Sequence, residues 1–272
     1  MHARATPHWL RRLGTGSLLL LLSYLLVAYV VAPVLWTHYE HQPALSSAPK
    51  TALTPEDIPA DPLNIGLVGT QAEVIQTFVA AGWTPADPLT FRSSVGIVAS
   101  VALREPDPTA PVSTLDLWGR RQDLAFEREV GTSAQQRRHV RLWRAPAALD
   151  VAGRPFWLGA VTFDTGVELS RRTGEVTHRI APDVDAERDT LIATLTATGL
   201  VLRTYDATGV GTTLRGRNGN GDWYYTDGEL TVAVLTPGST AQPLPTVAPN
   251  PLAVALKQRG WAWLRPWLPH AP

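Results

Sequence analysis

Residues 123–129 (DLAFERE), 137–143 (RRHVRLW), 156–163 (FWLGAVTF) and 175–180 (EVTHRI) decide the fold of this chain. Each is a short run that reads with a period of two, and Gly119, Gly131, Gly153, Gly166 and Gly174 punctuate them. Together with residues 114–118 this pattern predicts an antiparallel meander. Upstream, 63–68 reads as a strand, and 71–81 carries apolar residues at 74, 75, 78 and 79, the spacing of a helix that stops at Gly82. Residues 93–103 are rich in Ala, Ser and Val and fit a buried helix or a strand, with the two serines at the start favouring helix. Downstream, Asp183 opens a helix that runs to about Thr198 and stops at Gly199, and 200–205 is a strand. Residues 223–225 and 229–235 flank Thr226-Asp227-Gly228, read as the turn of a hairpin because Asp-Gly accepts positive φ. The expected class is α+β: a mainly antiparallel sheet with two or three helices covering one face.

Nearer the N-terminus, residues 18–36 form a 19-residue run without a charge. At about 1.5 Å per residue it matches a hydrocarbon core roughly 30 Å thick, so it is expected to cross a membrane once. A cleaved signal peptide needs a shorter apolar core and a small-x-small site, and the best match, Val30 and Ala32, is followed by Pro33. Arg11 and Arg12 lack the rest of a twin-arginine signal. Before the run stand Arg4, Arg11 and Arg12 without an acid; after it, Glu40, Glu56, Asp57 and Asp61 face Lys50 alone. The basic flank stays inside, so residues 1–17 are expected in the cytoplasm and everything after 36 outside it. His38 and His41 fit interfacial polar residues beside Trp36 and Tyr39 better than a metal site.

The chain of 272 residues carries 24 basic and 24 acidic side chains, so no net field favours nucleic acid. It has no cysteine, which excludes disulfides, thiolate metal sites and cysteine nucleophiles. Prolines at 43, 49, 55 and 59 mark 37–61 as a semi-extended tether, and 237–251 is a second proline-rich stretch leading into the tail, 237–272. Between them, 62–236 is one domain of 175 residues with 17 Arg, no Lys and 20 acids, a net of −3. A nucleic-acid surface is disfavoured again.

A strand over 137–143 places Arg137, His139, Arg141 and Trp143 on one face, and Arg138, Val140, Leu142 with Arg144 on the other. Such a cationic face can clamp phosphate or carboxylate, or it can be ion-paired, with Glu127 and Glu129 as cross-strand partners. Asp183, Asp185, Glu187 and Asp189 alternate like a calcium loop. Arg188 stands where that loop needs glycine and Thr194 where it needs glutamate, so an EF-hand is excluded and a helix N-cap explains the acids better. His139 and His178 are the only histidines of the domain. With Asp164, Asp183 or Asp185 they could make a metal triad or an acid–base pair, or they are incidental. Gly209-Val210-Gly211 lacks the third glycine of a dinucleotide turn, and 216–222 lacks the Lys-Ser/Thr of a phosphate loop, so the Gly/Asn tract 216–221 reads as a hairpin loop. Serine-hydrolase and zinc-protease signatures are absent, and neither cofactor nor metal is expected.

Asp61-Pro62-Leu63-Asn64 with Val68-Gly69, Ala81-Gly82-Trp83, Ala110-Pro111-Val112-Ser113, Gly119-Arg120 with Gln122-Asp123-Leu124-Ala125-Phe126-Glu127, Arg138-His139-Val140-Arg141 with Trp143, Thr177-His178, and Asp183 to Asp189 follow one another in an order that resembles the LssY C-terminal domain family. The resemblance runs from about 61 to 236. It implies a domain that stands alone behind a membrane segment or is joined to DedA-like or lipid-phosphatase-like membrane proteins. Where that family often has a second histidine, this chain has Arg138 and Arg179. Two functions follow. The favoured one is an extracytoplasmic domain of the cell envelope that binds an anionic or phosphorylated ligand, or a membrane partner, through Arg120, Asp123, Arg138, His139 and Arg141. The other is a hydrolase using His139 and His178 with Asp183 or Asp185.

In the tail, Asn250 and Pro251 open a helix in which Trp263 and Trp267 join Leu252 and Leu256 on one face, while Trp261 lies away from it. With Lys257, Arg259 and Arg265 these tryptophans suit either a lipid headgroup zone or docking on the domain's own surface.

Overall fold

The structure, a computed structural model, describes residues 8–32, 45, 48–86, 114–130, 136–149, 153–169, 176–207, 215–239, 241 and 245–268. The chain divides into two compact units, 1–40 and 41–272. In the first, α1 (His8–Leu26) continues through a π-helical turn, Val27–Val31. Arg12–Val31 is 20 residues long and apolar enough to cross a membrane. Its leucines are exposed, as in a helix whose solvent is hydrocarbon. The apolar helix starts six residues before the expected 18–36; residues 33–36, His38 and His41 lie outside the described residues.

The second unit starts earlier than the tether reading allowed. From Thr51 the chain is already sheet: β1 (Thr51–Leu53) pairs antiparallel with β2 (Pro59–Pro62) and with β5 (Asp116–Leu117), which pairs with β6 (Arg120–Arg121). Prolines are tolerated there because strands this short have residues that need not donate to a ladder.

The main sheet holds nine strands among the described residues. Its middle is the expected meander without residues 114–118, whose β5 lies in the small sheet instead: β7 (Leu124–Glu129), β8 (Arg137–Leu149), β9 (Pro155–Leu169) and β10 (Val176–Ile180), antiparallel throughout, with β4 (Thr84–Pro85) at the β7 edge. On its other side β3 (Ile65–Val68) joins β9 antiparallel to β14 (Leu230–Leu235), which it meets in parallel; β11 (Val201–Ala207) and β15 (Thr246–Val247) follow. All four residues of β3 are buried, as a strand covered on both faces requires. Asn64, just before it, is 1% exposed. Its amide accepts from the Val161 N–H and donates to the Val161 and Val184 carbonyls, so one side chain carries the ladder past the end of β3 and ties the start of the second covering helix to the sheet.

That helix is α3 (Val184–Ala197), after α2 (Gln71–Ala80). Thr70 and Glu73 close a capping box on α2, Asp183 accepts from the Ala186 N–H on α3, and Gly82 leaves α2 at φ +78°. Both helices pack on one sheet face, where Val74, Ile75, Phe78, Leu191 and Leu195 meet Phe126, Val140, Leu142, Trp157 and Val161. The opposite face gathers Trp143, Leu158, Ala160, Tyr205 and Val232 under Ala52, Leu63, Leu115 and Leu117 of the small sheet region.

One further expectation needs correction. β13 (Trp223–Tyr225) pairs with β12 (Arg215–Arg217), not with β14, so Thr226-Asp227-Gly228 is no hairpin turn. Asp227 is instead buried and bonded to Arg188. The Gly/Asn tract does close a hairpin, β12–β13, in which the Asn218 side chain accepts from the Asn220 and Asp222 N–H groups. In the tail, α4 (Leu252–Leu264) follows Pro251 and packs one of its faces on the domain. Residues 93–103 and 209–211 lie outside the described residues.

Candidate functional site

The meander's register builds the site. Arg137, His139, Arg141 and Trp143 alternate onto the face of β8 away from α2 and α3; the first three have a register partner on both sides, and Trp143 has one on β9. Row by row along β7, β8 and β9 these are Glu129, Arg137 and Asp164; Glu127, His139 and Thr162; then Ala125, Arg141 and Ala160. Trp143 and Leu158 complete the apolar end. The same face therefore changes from hydrocarbon to charge within four rows.

At the charged end the pairs are diagonal. Arg137 Nη1 lies 3.4 Å from Glu127, His139 Nε2 2.8 Å from Asp164 Oδ2, and Arg141 Nη1 donates to Asp61 Oδ2 of β2 at 2.6 Å. All six side chains are buried. Burial pushes the Asp61 carboxyl above its ordinary value, with Arg141 pulling the other way, and it pushes Glu127 up against Arg137. Glu127 is thus the partner expected from the neighbouring strand, while Glu129 is exposed. Asp61 was visible in the sequence only as part of a motif, because β2 reaches β8 through the fold and not through local spacing.

The other ligand candidates sit elsewhere. Arg138 points to the helix-covered face, where its Nε donates to Glu187 at 2.6 Å and its guanidinium lies over Phe163. Arg120 bonds Asp123 at 2.5 Å and the Arg144 carbonyl, and Asp123 accepts from the Arg144 N–H. Of the five, His139 and Arg141 share the buried charged face.

Asp183 and Asp185 belong to a second polar cluster at the start of α3. Arg265 of the tail donates from Nε and Nη2 to Asp183, at 2.7 and 2.8 Å. Asp185, 0% exposed, accepts from Thr226 Oγ1, the Asp227 N–H and Trp261 Nε1, and lies 3.3 Å from Arg188. Arg188 in turn grips Asp227 with two nitrogens. Burial raises Asp185 to about 6, opposed by Arg188. These acids are engaged with α3, β13 and the tail on the helix side of the sheet, and the acid that His139 meets is Asp164. The backbone of His178 pairs with Val167 on β9, three positions beyond Asp164. Among the described residues no group of three or more His, Cys, Asp or Glu could hold a metal ion.

A model of one protein family, described as the LssY C-terminus, matches residues 45–230. It begins close to where the second unit does, sixteen residues before the sequence motifs. No curated protein and no solved structure matches the chain.

Proposed function

The chain belongs to the LssY C-terminus family, and from that premise we propose that it is a membrane-anchored domain, held outside the cytoplasm, that binds an anionic, phosphorylated ligand of the envelope. One observation carries the reading. Five ionisable side chains of one sheet face and Asp61 of β2 are buried together, on a face whose other end is filled by Trp143 and Leu158. Apolar side chains of similar volume would stabilise that face as well or better, since buried ion pairs seldom repay their desolvation. A use other than stability accounts for keeping them. In this reading Asp61 holds the place of the ligand's anion on Arg141, and the short β1–β2 hairpin that carries it is the element that shifts to admit the ligand. A partner within the membrane that presents such a headgroup fits the same site.

Orientation rests on the basic N-terminal flank. A reporter enzyme fused after Gln42 is expected to be active only when it needs an extracytoplasmic environment; activity of a cytoplasm-dependent reporter at that position would reverse the topology.

The site is tested by titrating the full chain, in lipid nanodiscs, with glycerol phosphate. Arg141→Ala should weaken binding by roughly ten- to hundredfold, the range for a lost charge-assisted bond of about 1.5–3 kcal/mol, while Arg203→Ala on an exposed part of β11 leaves it unchanged. Unchanged affinity in Arg141→Ala beside a lowered melting temperature would make Arg141 purely structural. The 2.8 Å contact between His139 and Asp164 favours a hydrolase as the second reading. Release of inorganic phosphate during that titration, abolished by His139→Gln, would replace binding by catalysis.

A further inference from the structure

The tail helix has two faces with opposite fates. On one, Trp261 is 8% exposed and donates to Asp185, Val254 is buried, and Lys257, Gln258 and Arg265 bond Glu229, Asp206 and Asp183. The helical period places Leu252, Leu256, Trp263 and Trp267 on the other side. There Trp263 is 72% and Trp267 77% exposed, with both leucines more than half exposed. The helix has therefore already docked, and the stripe it leaves outside is not waiting for the domain.

We infer that this outer stripe of α4 lies in the headgroup region of the bilayer, as a second membrane contact beside the N-terminal helix. The inference rests on the membrane-anchored reading. Only residues 33–44 separate Ala32, at the end of the apolar helix, from Leu45, so the folded unit begins at most about 45 Å of extended chain from the bilayer. At that tether length a weak interfacial contact is made at high effective concentration. The chemistry suits the interface: tryptophans are amphipathic rings that settle at headgroup level, and exposed Arg259 lies on the same side of the helix, where anionic lipid would meet it. Because the inner face is pinned by polar bonds to the buried Asp185 and Glu229 and the half-buried Asp183 and Asp206, the stripe is presented with little ordering cost on contact.

The chain has no cysteine, so Leu256→Cys accepts one environment-sensitive fluorophore in the full-length protein. In nanodiscs of phosphatidylcholine with phosphatidylglycerol, exchanging some lipid for doxyl-lipid should quench the label at least about twofold, while aqueous iodide does little. Adding Trp263→Ser and Trp267→Ser should abolish the lipid quenching and leave the melting temperature unchanged. A label quenched by iodide and not by doxyl-lipid overturns the inference. So does protection from both that grows with the number of copies per disc, which would mean that a second copy covers the stripe. A fall in melting temperature in the double serine variant would place the tryptophans in the fold and overturn it as well. Failure of the chain to co-elute with the discs would sink the anchor reading itself, whereas co-elution without lipid quenching sinks only this contact.

Discussion

Replacing Arg188 by methionine should destabilise the folded domain by about 3–5 kcal/mol at neutral pH, the usual result of removing one partner from a buried charge cluster. Arg188 donates to Asp227 at 2.8 and 3.0 Å, lies 3.3 Å from Asp185 and reaches the Glu229 carbonyl. Methionine fills much of the same volume, so the loss reports charge and not a cavity. Two carboxylates then stay buried without their shared cation. The pH dependence fixes the sign. Burial already raises Asp185 from an ordinary 3.8 to about 6, so between those values the native state holds a proton that the unfolded chain has released. Stability from this group falls as pH rises through that window. Without Arg188, which pulls the value down, Asp185 rises further and the window widens upward. Urea unfolding of the full chain at pH 5 and pH 8 should therefore show a larger deficit for Arg188→Met at pH 8. A deficit below about 1 kcal/mol would mean that the cluster behaves like a solvated surface pair, and an equal deficit at both pH values would mean that Asp185 is not what the arginine supports.

That cluster also shows what sequence could and could not convey. Asp183 as a helix cap was readable, because capping is local: the Asp183 side chain bonds the Ala186 N–H three residues on. Arg188 reaching Asp227 was not, since the two meet only once β13 and β14 are placed, and the Asp-Gly pair looked like a turn for the same local reason that made the cap legible. The faces of β8 followed from a period of two, and Glu127 from being next in the meander. Asp61 did not follow, because β2 pairs within the small sheet and reaches Arg141 through packing. The insertion of β3 between β9 and β14, antiparallel to one and parallel to the other, has no local signature; only its four buried residues hint at cover on both sides. In the tail, the helical period separated Trp261 from Trp263 and Trp267, and that apparent flaw in amphipathicity is the mark of a helix with one docked face and one exposed apolar stripe.

Asp61→Asn is expected to do the opposite of Arg141→Ala at the charged face: lower stability yet raise anion affinity by roughly ten- to hundredfold. Asparagine keeps the shape and one acceptor oxygen but removes the charge that holds Arg141 at 2.6 Å. The guanidinium remains buried and cationic while the charge of Asp61 is gone, so the fold should lose about 3 kcal/mol. An anion that takes the vacated place restores the charge balance, and at a hundred times its dissociation constant it returns about 2.7 kcal/mol by mass action. Inorganic phosphate should therefore raise the melting temperature of Asp61→Asn far more than that of the parent chain, and adding Arg141→Ala should cancel the rescue. The rescue by anion separates the two roles open to Asp61. A merely structural carboxylate, once removed, leaves a damaged core that phosphate cannot mend, so equal thermal shifts in the parent and the variant would end the place-holder reading and with it the assignment of this face as the binding site. A selective rescue would instead locate the ligand's charge within one hydrogen bond of Arg141.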